Sequence, residues 1–212
     1  MQNVRHPTGT ISAGATRGWA GGVTREAIAP MAFIALILLS NYALSGLPNV
    51  KLFDLLVFVA GYTLGLRRGI LVAMGAWLVY GQLNPWGATH AALLLTLIAG
   101  ESLFAVAGAL ARMAVPLSRM RLGPSAGSVM FVVAALSTTA AYDLLANLYT
   151  GYYWSVLAGG DELSRWLGIA VFGPGAVFFM AVHAGANVAL FPVFGPLLIK
   201  GAERAKQRFG WS

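Results

Sequence analysis

The chain has 212 residues, of which 58% are hydrophobic and only 10% are charged, with a mean hydropathy of +0.73 and a formal net charge of +7. An average soluble domain carries about 25% charged residues, so this composition indicates an integral membrane protein and excludes an ordinary soluble domain. The chain has no cysteine, which excludes disulfides, thiolate metal sites and cysteine nucleophiles.

Both ends of the chain are predicted to be short tails outside the membrane. Residues 1–26 are rich in Gly, Thr and Arg and lack the compact apolar core of a signal peptide, so we expect a flexible cytoplasmic tail. Residues 201–212 are predicted to form a short basic cytoplasmic tail. The domain between them, 27–200, is predicted to lie in the membrane.

Six apolar segments are predicted within this domain, since about 20 apolar residues span a bilayer as a helix. The stretch 52–83 is interrupted only by "LRRG" at 66–69. Two adjacent arginines at mid-membrane would cost about 3 kcal/mol each, so this sequence predicts a turn between two short helices. The predicted segments are 27–47, 52–66, 69–83, 91–111, 127–151 and 167–199.

The basic residues indicate the orientation of these segments. With a cytoplasmic N-terminus, only Lys51 and Arg165 of the fourteen Lys and Arg fall outside the cell, as the positive-inside rule requires. The sequence therefore predicts an all-α integral membrane protein, a compact bundle of six transmembrane helices with both termini in the cytoplasm. Topology and contact with anionic membrane lipid then account for the positive charge, and no nucleic-acid partner is expected.

Small residues four positions apart recur in the predicted helices and allow close helix packing in lipid. Examples are Gly61 and Gly65 in the second segment and Ala105 and Ala109 in the fourth. The sixth segment carries "AVHAG". We interpret these residues as packing contacts within the bundle.

Ionisable and amide side chains inside the predicted spans are the main candidates for function, because charge in hydrocarbon is costly. Asp54 follows Lys51 by three residues and is interpreted either as a helix N-cap, as a solvated interfacial residue or as a functional one. Glu101 lies midway along the fourth segment without a basic residue within one turn. It must be neutral, paired with another helix, or facing a wet cavity.

Two polar pairs have the four-residue spacing of one helical turn. Asp143 and Asn147 share a face of the fifth segment, and His183 and Asn187 share a face of the sixth. We expect these faces to meet. A single intramembrane His or Asn is usually a packing residue, but two pairs on consecutive helices favour a binding site.

Aromatic residues cluster at the predicted outer boundary. The loop at 80–90 contains Trp86, and the loop that begins at 148 contains Tyr152 and Trp154. An interfacial aromatic belt explains part of this pattern, but aromatic walls with a few polar groups also describe a small-molecule pocket. The predicted substrate-binding residues are Trp86, Glu101, Asp143, Asn147, Tyr152, Trp154, His183 and Asn187.

Several catalytic signatures are absent from the sequence. It contains no GxxxxGK[ST] phosphate-binding loop, no HExxH motif and no zinc-ligand spacing among its three histidines. We therefore expect no metal or other cofactor, and a transport protein that is not an enzyme and has no ATPase motif of its own.

The chain resembles the substrate-binding S components of energy-coupling factor (ECF) type ABC transporters over residues 30–199. The resemblance lies in "NVKLFDLLVFVAGYTLGLRRGILVAMGAWLVYGQLNPWG", "AYDLLANLYTGYY" and "FGPGAVFFMAVHAGANVALFPVFGPLL". It implies a multi-pass protein of a prokaryotic cell (inner) membrane that binds a vitamin or related small organic micronutrient from outside. It also implies two kinds of partner, a transmembrane coupling protein and two ATPase subunits, and a pocket between the outer loops and helices four to six.

Two alternatives of other classes stay open at the level of sequence. One is a membrane-embedded enzyme that uses Glu101 and His183 on a lipid or isoprenoid substrate. It would turn over without an ATPase partner and would have a groove open to lipid. The other is a structural subunit of a membrane complex, in which the buried polar pairs serve assembly.

Overall fold

The computed structural model describes residues 14–121 and 123–210, with side chains described from Glu26 onward. Within these ranges every regular element is a helix. The helices are α1 Gly14–Ala43, α2 Phe53–Leu64, α3 Leu66–Tyr80, α4 Ala91–Ala114, α5 Ala126–Leu157, α6 Leu163–Phe172 and α7 Pro174–Phe209, with a short 3-10 helix at Leu117–Arg119. The predicted all-α class is confirmed.

Length and hydropathy are those of a multi-pass membrane protein. Four helices are long and apolar enough to cross a membrane, namely Glu26–Ala43 within α1, and the whole of α4, α5 and α7. Helices α2 and α6 are apolar but shorter. The arrangement of six spans with cytoplasmic termini stays a prediction.

Helix α2 occupies the centre of the bundle. Every residue from Phe53 to Thr63 is buried, and α1, α3, α4 and α7 pack around the helix. A helix that is apolar on all faces is stable when other helices enclose it, which explains why so short a segment is so hydrophobic. Helix α5 packs against α4 and α7, and α6 packs against α5.

One end of the bundle, which we name the basic end, is built around the last turn of α2. Arg112 of α4 donates to the carbonyl oxygens of Tyr62 at 2.9 Å and Thr63 at 3.2 Å, and Lys206 of α7 donates to Thr63 at 2.8 Å. Arg112 also pairs with Glu203 at 3.2 Å. Carbonyls of a last helical turn have no partner within their helix, and cations near them are stabilising.

The opposite end, which we name the far end, is held by two contacts between loops and helices. The Tyr42 hydroxyl of α1 donates to the carbonyl of Leu83 at 3.1 Å, and the Asn49 amide donates to the carbonyl of Phe179 in α7 at 3.0 Å. The α1–α2 loop, the α3–α4 loop and the start of α7 therefore meet here. In chain order, helices α1 to α5 and then α7 alternate between the two ends.

A turn separates the second and third segments as predicted, but it lies at Gly65, and the residues 66–69 expected to form it are the first turn of α3. Gly65 separates α2 from α3 with a φ of 88°, a left-handed conformation that glycine adopts without steric cost. Arg68 lies in the first turn of α3 and pairs with Glu26 of α1 at 3.3 Å. The two arginines are thus at the basic end and not in the middle of the bundle.

The flexibility predicted for the N-terminal tail is wrong from Gly14 onward. Helix α1 already begins at Gly14, so the flexible tail expected over 1–26 is helical from that residue, while 1–13 lie outside the described residues. Helix α7 likewise continues through the predicted tail to Phe209 and ends at Gly210. The physical reason is cooperativity, since extending an existing helix costs far less than starting one.

The bounds of the fifth and sixth segments also need correction. Helix α5 runs on to Leu157, so the outer loop expected from residue 148 is helical, and the chain turns only near Gly159 and Gly160. A single Gly151 inside the helix costs only about 1 kcal/mol and does not end it. The segment 167–199 is not one helix. It breaks at Gly173 because the residue before Pro174 is driven to extended backbone.

Small residues bring three helices together at the level of Gly61. A Cβ on Gly61 would overlap the backbone of Ala105 in α4, and a Cβ on Gly69 of α3 would lie 2.8 Å from the Gly61 Cα. The packing predicted for Gly61 and Ala105 is confirmed. Gly65 instead forms the turn between α2 and α3.

Candidate functional site: a buried polar network beside a cavity

A histidine held between two aspartates forms the centre of the buried polar network. His183 of α7 contacts Asp143 of α5 through Nδ1 at 2.8 Å and Asp54 of α2 through Nε2 at 2.5 Å. All three side chains are buried. Three helices that are distant in sequence are therefore joined by one imidazole ring.

An amide and a hydroxyl extend the network by one helical turn. Asn187 Nδ2 donates to Asp54 Oδ2 at 2.6 Å and to Thr139 Oγ1 at 2.8 Å. Thr139 precedes Asp143 by four residues, and Asn187 follows His183 by four, so the contacts occupy matching turns of the antiparallel helices α5 and α7. The expected meeting of the two polar faces is confirmed at Asp143 and His183.

The contacts of the three central groups require at least two protons. Each ring nitrogen of His183 faces a carboxyl oxygen, and each of these two hydrogen bonds needs one proton. With these two protons the total charge is minus one, whether the ring is an imidazolium or one carboxyl group carries a proton.

The interpretation of Asp54 as an N-cap or a solvated interfacial residue is wrong. Its side chain makes no capping bond at the start of α2 and is only 2% exposed. The reason is that α2 is enclosed on all sides, so even its first turn has no access to solvent. His183 and Asn187 supply the hydrogen bonds that make burial of this carboxylate tolerable.

Glu101 is fully enclosed in α4 and is hydrogen-bonded to a tryptophan. The indole Nε1 of Trp77 in α3 donates to Glu101 Oε2 at 3.3 Å. Within the described residues, Glu101 Oε1 and Asn187 Oδ1 have no hydrogen-bond partner. No hydrogen bond joins Glu101 to His183 among those residues.

Aromatic rings connect Glu101 to the central histidine. The Tyr142 ring packs edge-on against the His183 ring with centroids 5.8 Å apart. It also lies against Gly100, where a Cβ would be 2.7 Å from the ring. Phe53, which precedes Asp54, stacks on Trp77 with centroids 5.2 Å apart. The polar network is therefore enclosed by aromatic packing.

A cavity of 390 Å³ opens at the far end, beside this network. Its walls come from the end of α1, the α1–α2 loop, the end of α3, the α3–α4 loop and Phe179 of α7. Trp77 belongs both to the cavity wall and to the hydrogen bond with Glu101, so it separates the cavity from the buried carboxylates. Pockets for small ligands have volumes of about 300–1,000 Å³.

The predicted site residues divide into three places. Asp143, His183 and Asn187 are in the network, and Glu101 lies beside it, bonded to Trp77. Trp86 lines the cavity but is 79% exposed. The remaining residues are on the C-terminal half of α5, outside both features: Asn147 is half-buried without a hydrogen bond to the network, Tyr152 is exposed, and Trp154 packs edge-on against Trp166 of α6.

Several residues of the site are missing from the sequence-based prediction. Thr139 had a usable signal, because it continues the i, i+4 series of Asp143 toward the N-terminus of α5. Asn41 was detectable as a lone amide at the end of an apolar segment. Trp77 and Tyr80 had no such signal, because aromatic residues in an apolar helix are usually core residues.

The network does not have the arrangement of a metal centre. No group of three or more His, Asp or Glu side chains in the described part of the chain is placed to hold a metal ion. Both ring nitrogens of His183 face carboxylates, whereas a metal-binding histidine directs one of them to the ion. The arrangement suits proton sharing and polar packing.

Comparisons with known proteins give no relative for this chain. No protein-family model, curated protein or solved structure matches it.

Proposed function

We propose that this chain is the substrate-binding S component of an ECF-type importer in a prokaryotic cell membrane. It captures a vitamin or related small organic micronutrient on the outer side and delivers it inwards with a transmembrane coupling protein and two ATPase subunits. The observation that carries the proposal is the 390 Å³ cavity at the far end, opposite the basic end.

The positive-inside rule supports this orientation. Nine of the basic residues with described side chains belong to the helix ends and connections of the basic end, namely Arg67, Arg68, Arg112, Arg119, Arg121, Lys200, Arg204, Lys206 and Arg208. Lys and Arg accumulate on the cytoplasmic side of membrane proteins. With this end in the cytoplasm the cavity faces outwards, where a nutrient arrives.

The packing around the cavity supports binding without catalysis. The walls combine eight aromatic and aliphatic residues with five polar ones, and a mixture of apolar surface and placed polar groups is typical of a small-molecule pocket. The buried network joins α2, α5 and α7, and two of these helices lie next to segments that form the cavity wall, the α1–α2 loop before α2 and Phe179 of α7. The sequence has no ATP-binding motif, so the energy for release to the inside is assigned to partner subunits.

The proposal is tested by purifying an affinity-tagged chain from its own cell membrane in mild detergent and identifying its partners by mass spectrometry. We expect a transmembrane protein and two ATPase subunits. Reconstituted together in vesicles, these proteins should take up a substrate only when ATP is present.

Two results of this experiment would refute the proposed transport function and support one of the two alternatives. Conversion of a lipid or isoprenoid by the isolated chain, without ATP, would establish the enzyme alternative. Recovery only as a fixed subunit of another complex, with no small molecule bound, would establish the structural alternative.

A further inference from the structure

The far-end cavity contains a buried amide that has no partner. Asn41, near the end of α1, lines the cavity and is 2% exposed. Neither its Nδ2 nor its Oδ1 has a hydrogen-bond partner among the described residues. A buried polar group that lacks its hydrogen bonds is costly, so an amide with both atoms unpaired is a position where a ligand would be stabilised.

The aromatic residues of the cavity favour a flat ligand. Trp77 and Tyr80 stand one turn apart on α3 with ring centroids 6.0 Å apart, and Trp86 and Phe179 add rings from the α3–α4 loop and α7. Aromatic rings prefer stacked or edge-on contacts with other rings. A planar, unsaturated ring therefore fits these walls better than a flexible chain does.

The charge of the cavity wall favours an anion. Lys51 is the charged residue among the described residues that line it, and within that part of the chain its amine has no ion-pair partner. Its interaction with the buried Asp54 and Glu101 is electrostatic and acts over a longer range. A carboxylate in the cavity would give Lys51 a direct partner.

We propose that the cavity binds a planar heteroaromatic anion that presents adjacent hydrogen-bond donor and acceptor atoms, as a lactam edge does, to Asn41, and an acidic group to Lys51. The proposal rests on the proposed function of the cavity as the substrate site. Both polar atoms of Asn41 are shielded from solvent, so binding includes a rotation of this side chain toward the cavity.

Four small molecules test separately the three features of the proposed ligand, which are its flat ring, its lactam edge and its acidic group. Uracil-6-carboxylate has the flat ring, the lactam edge and the acid; uracil lacks the acid; benzoate lacks the lactam edge; benzamidine carries the opposite charge. Each probe is titrated into the full-length chain in lipid nanodiscs, with binding followed by equilibrium dialysis and by the fluorescence of the cavity tryptophans. We expect uracil-6-carboxylate to bind at least about tenfold more tightly than the other three.

Two substitutions assign the contacts. Asn41→Leu should weaken uracil-6-carboxylate and uracil about tenfold and leave benzoate unchanged. Lys51→Gln should weaken the two acids and leave uracil unchanged. The Leu variant removes an amide without partners, so it should fold normally. Gln207→Leu at the basic end and Arg165→Gln on α6 are the matched controls and should change no affinity.

The results distinguish the ligand class from the proposed function. If uracil, benzoate or benzamidine binds as tightly as uracil-6-carboxylate, and Asn41→Leu or Lys51→Gln weakens that binding, the ligand class is wrong while the cavity is still a binding site. If neither substitution changes any affinity, the probes bind elsewhere and the ligand class is wrong. If none of the probes binds at up to about 10 mM, a range far weaker than specific recognition, the ligand class is also wrong. The function is then judged separately, by whether the chain retains another small molecule when it is extracted from its membrane.

Discussion

The indole N–H of Trp77 donates to the buried carboxylate of Glu101 at 3.3 Å, while the same indole ring forms part of the wall of the far-end cavity. A molecule that displaces this ring therefore changes the environment of a buried acid. Trp77 is thus a residue through which occupancy of the cavity can act on the packing of the bundle.

The first prediction concerns this contact. Trp77→Phe keeps an aromatic ring but removes the donor, so Glu101 loses the one side-chain hydrogen bond it makes in the described part of the chain. We expect the free energy of unfolding in detergent micelles to fall by about 1–3 kcal/mol beyond the loss from the smaller ring.

A double-mutant cycle separates the two contributions. In a Glu101→Met background no carboxylate is left unpaired, so Trp77→Phe should cost less there than in the native chain. The expected coupling energy is about 1 kcal/mol or more. Equal costs in both backgrounds would show that the hydrogen bond contributes nothing.

The second prediction concerns the central aspartate of the network. Asp54→Asn replaces the carboxylate that faces both His183 and Asn187 with a neutral amide, whose oxygen is a weaker acceptor and whose NH2 group adds a donor beside them. Breaking a buried charged pair typically costs about 3–5 kcal/mol, so we expect the melting temperature in micelles to fall strongly. Asp161→Asn, on an exposed loop, is the control and should change stability by less than about 0.5 kcal/mol. Similar melting temperatures for the two variants would argue against a structural role for the network.

The third prediction separates two residues that the sequence treats as a pair. Asp143 contacts His183, whereas Asn147 is half-buried and has no hydrogen bond to the network. Asp143→Asn should therefore lower the free energy of unfolding by about 2 kcal/mol or more, and Asn147→Ala by less than about 0.5 kcal/mol. Equal effects, measured by equilibrium unfolding of the two variants, would mean that the site extends further along α5 than its contacts indicate.

The fourth prediction concerns the close approach of α2 and α4. Gly61→Ala places a methyl group against the backbone of Ala105, so we expect a loss of about 1–3 kcal/mol through overpacking. Gly185→Ala, in α7, meets nothing within 4 Å and should stabilise the helix by up to about 1 kcal/mol. The comparison is made by thermal unfolding in micelles, and a neutral Gly61→Ala would show that the helices can separate there without cost.

Local features of the fold could be predicted from the sequence, while contacts between distant segments could not. The turn at Gly65 and the polar faces of α5 and α7 depend on neighbouring residues and on the spacing of one helical turn, which the sequence displays. The contact between Asp54 and His183 joins residues 129 positions apart and forms because α7 packs against α2. The sequence identified Asp54 as a candidate, but the residue that it contacts could not be predicted.

The position of the cavity could not be predicted from the sequence either. The expected pocket lay between the outer loops and the last three segments, and it included Tyr152 and Trp154. Because α5 continues to Leu157, these two residues are on a helix and away from the cavity walls. The cavity instead uses the α1–α2 loop and the end of α3, where hydrophobic patterning gives no information about which loops meet.

Native mass spectrometry tests most directly whether the far-end cavity is a substrate site. The full-length chain is extracted from its own membrane into mild detergent and compared with the Asn41→Leu, Lys51→Gln double variant. We expect a small organic molecule bound to the native chain and absent from the double variant. A native chain that carries only lipid, in a preparation that is folded by circular dichroism, would contradict the claim that the far-end cavity is a substrate site.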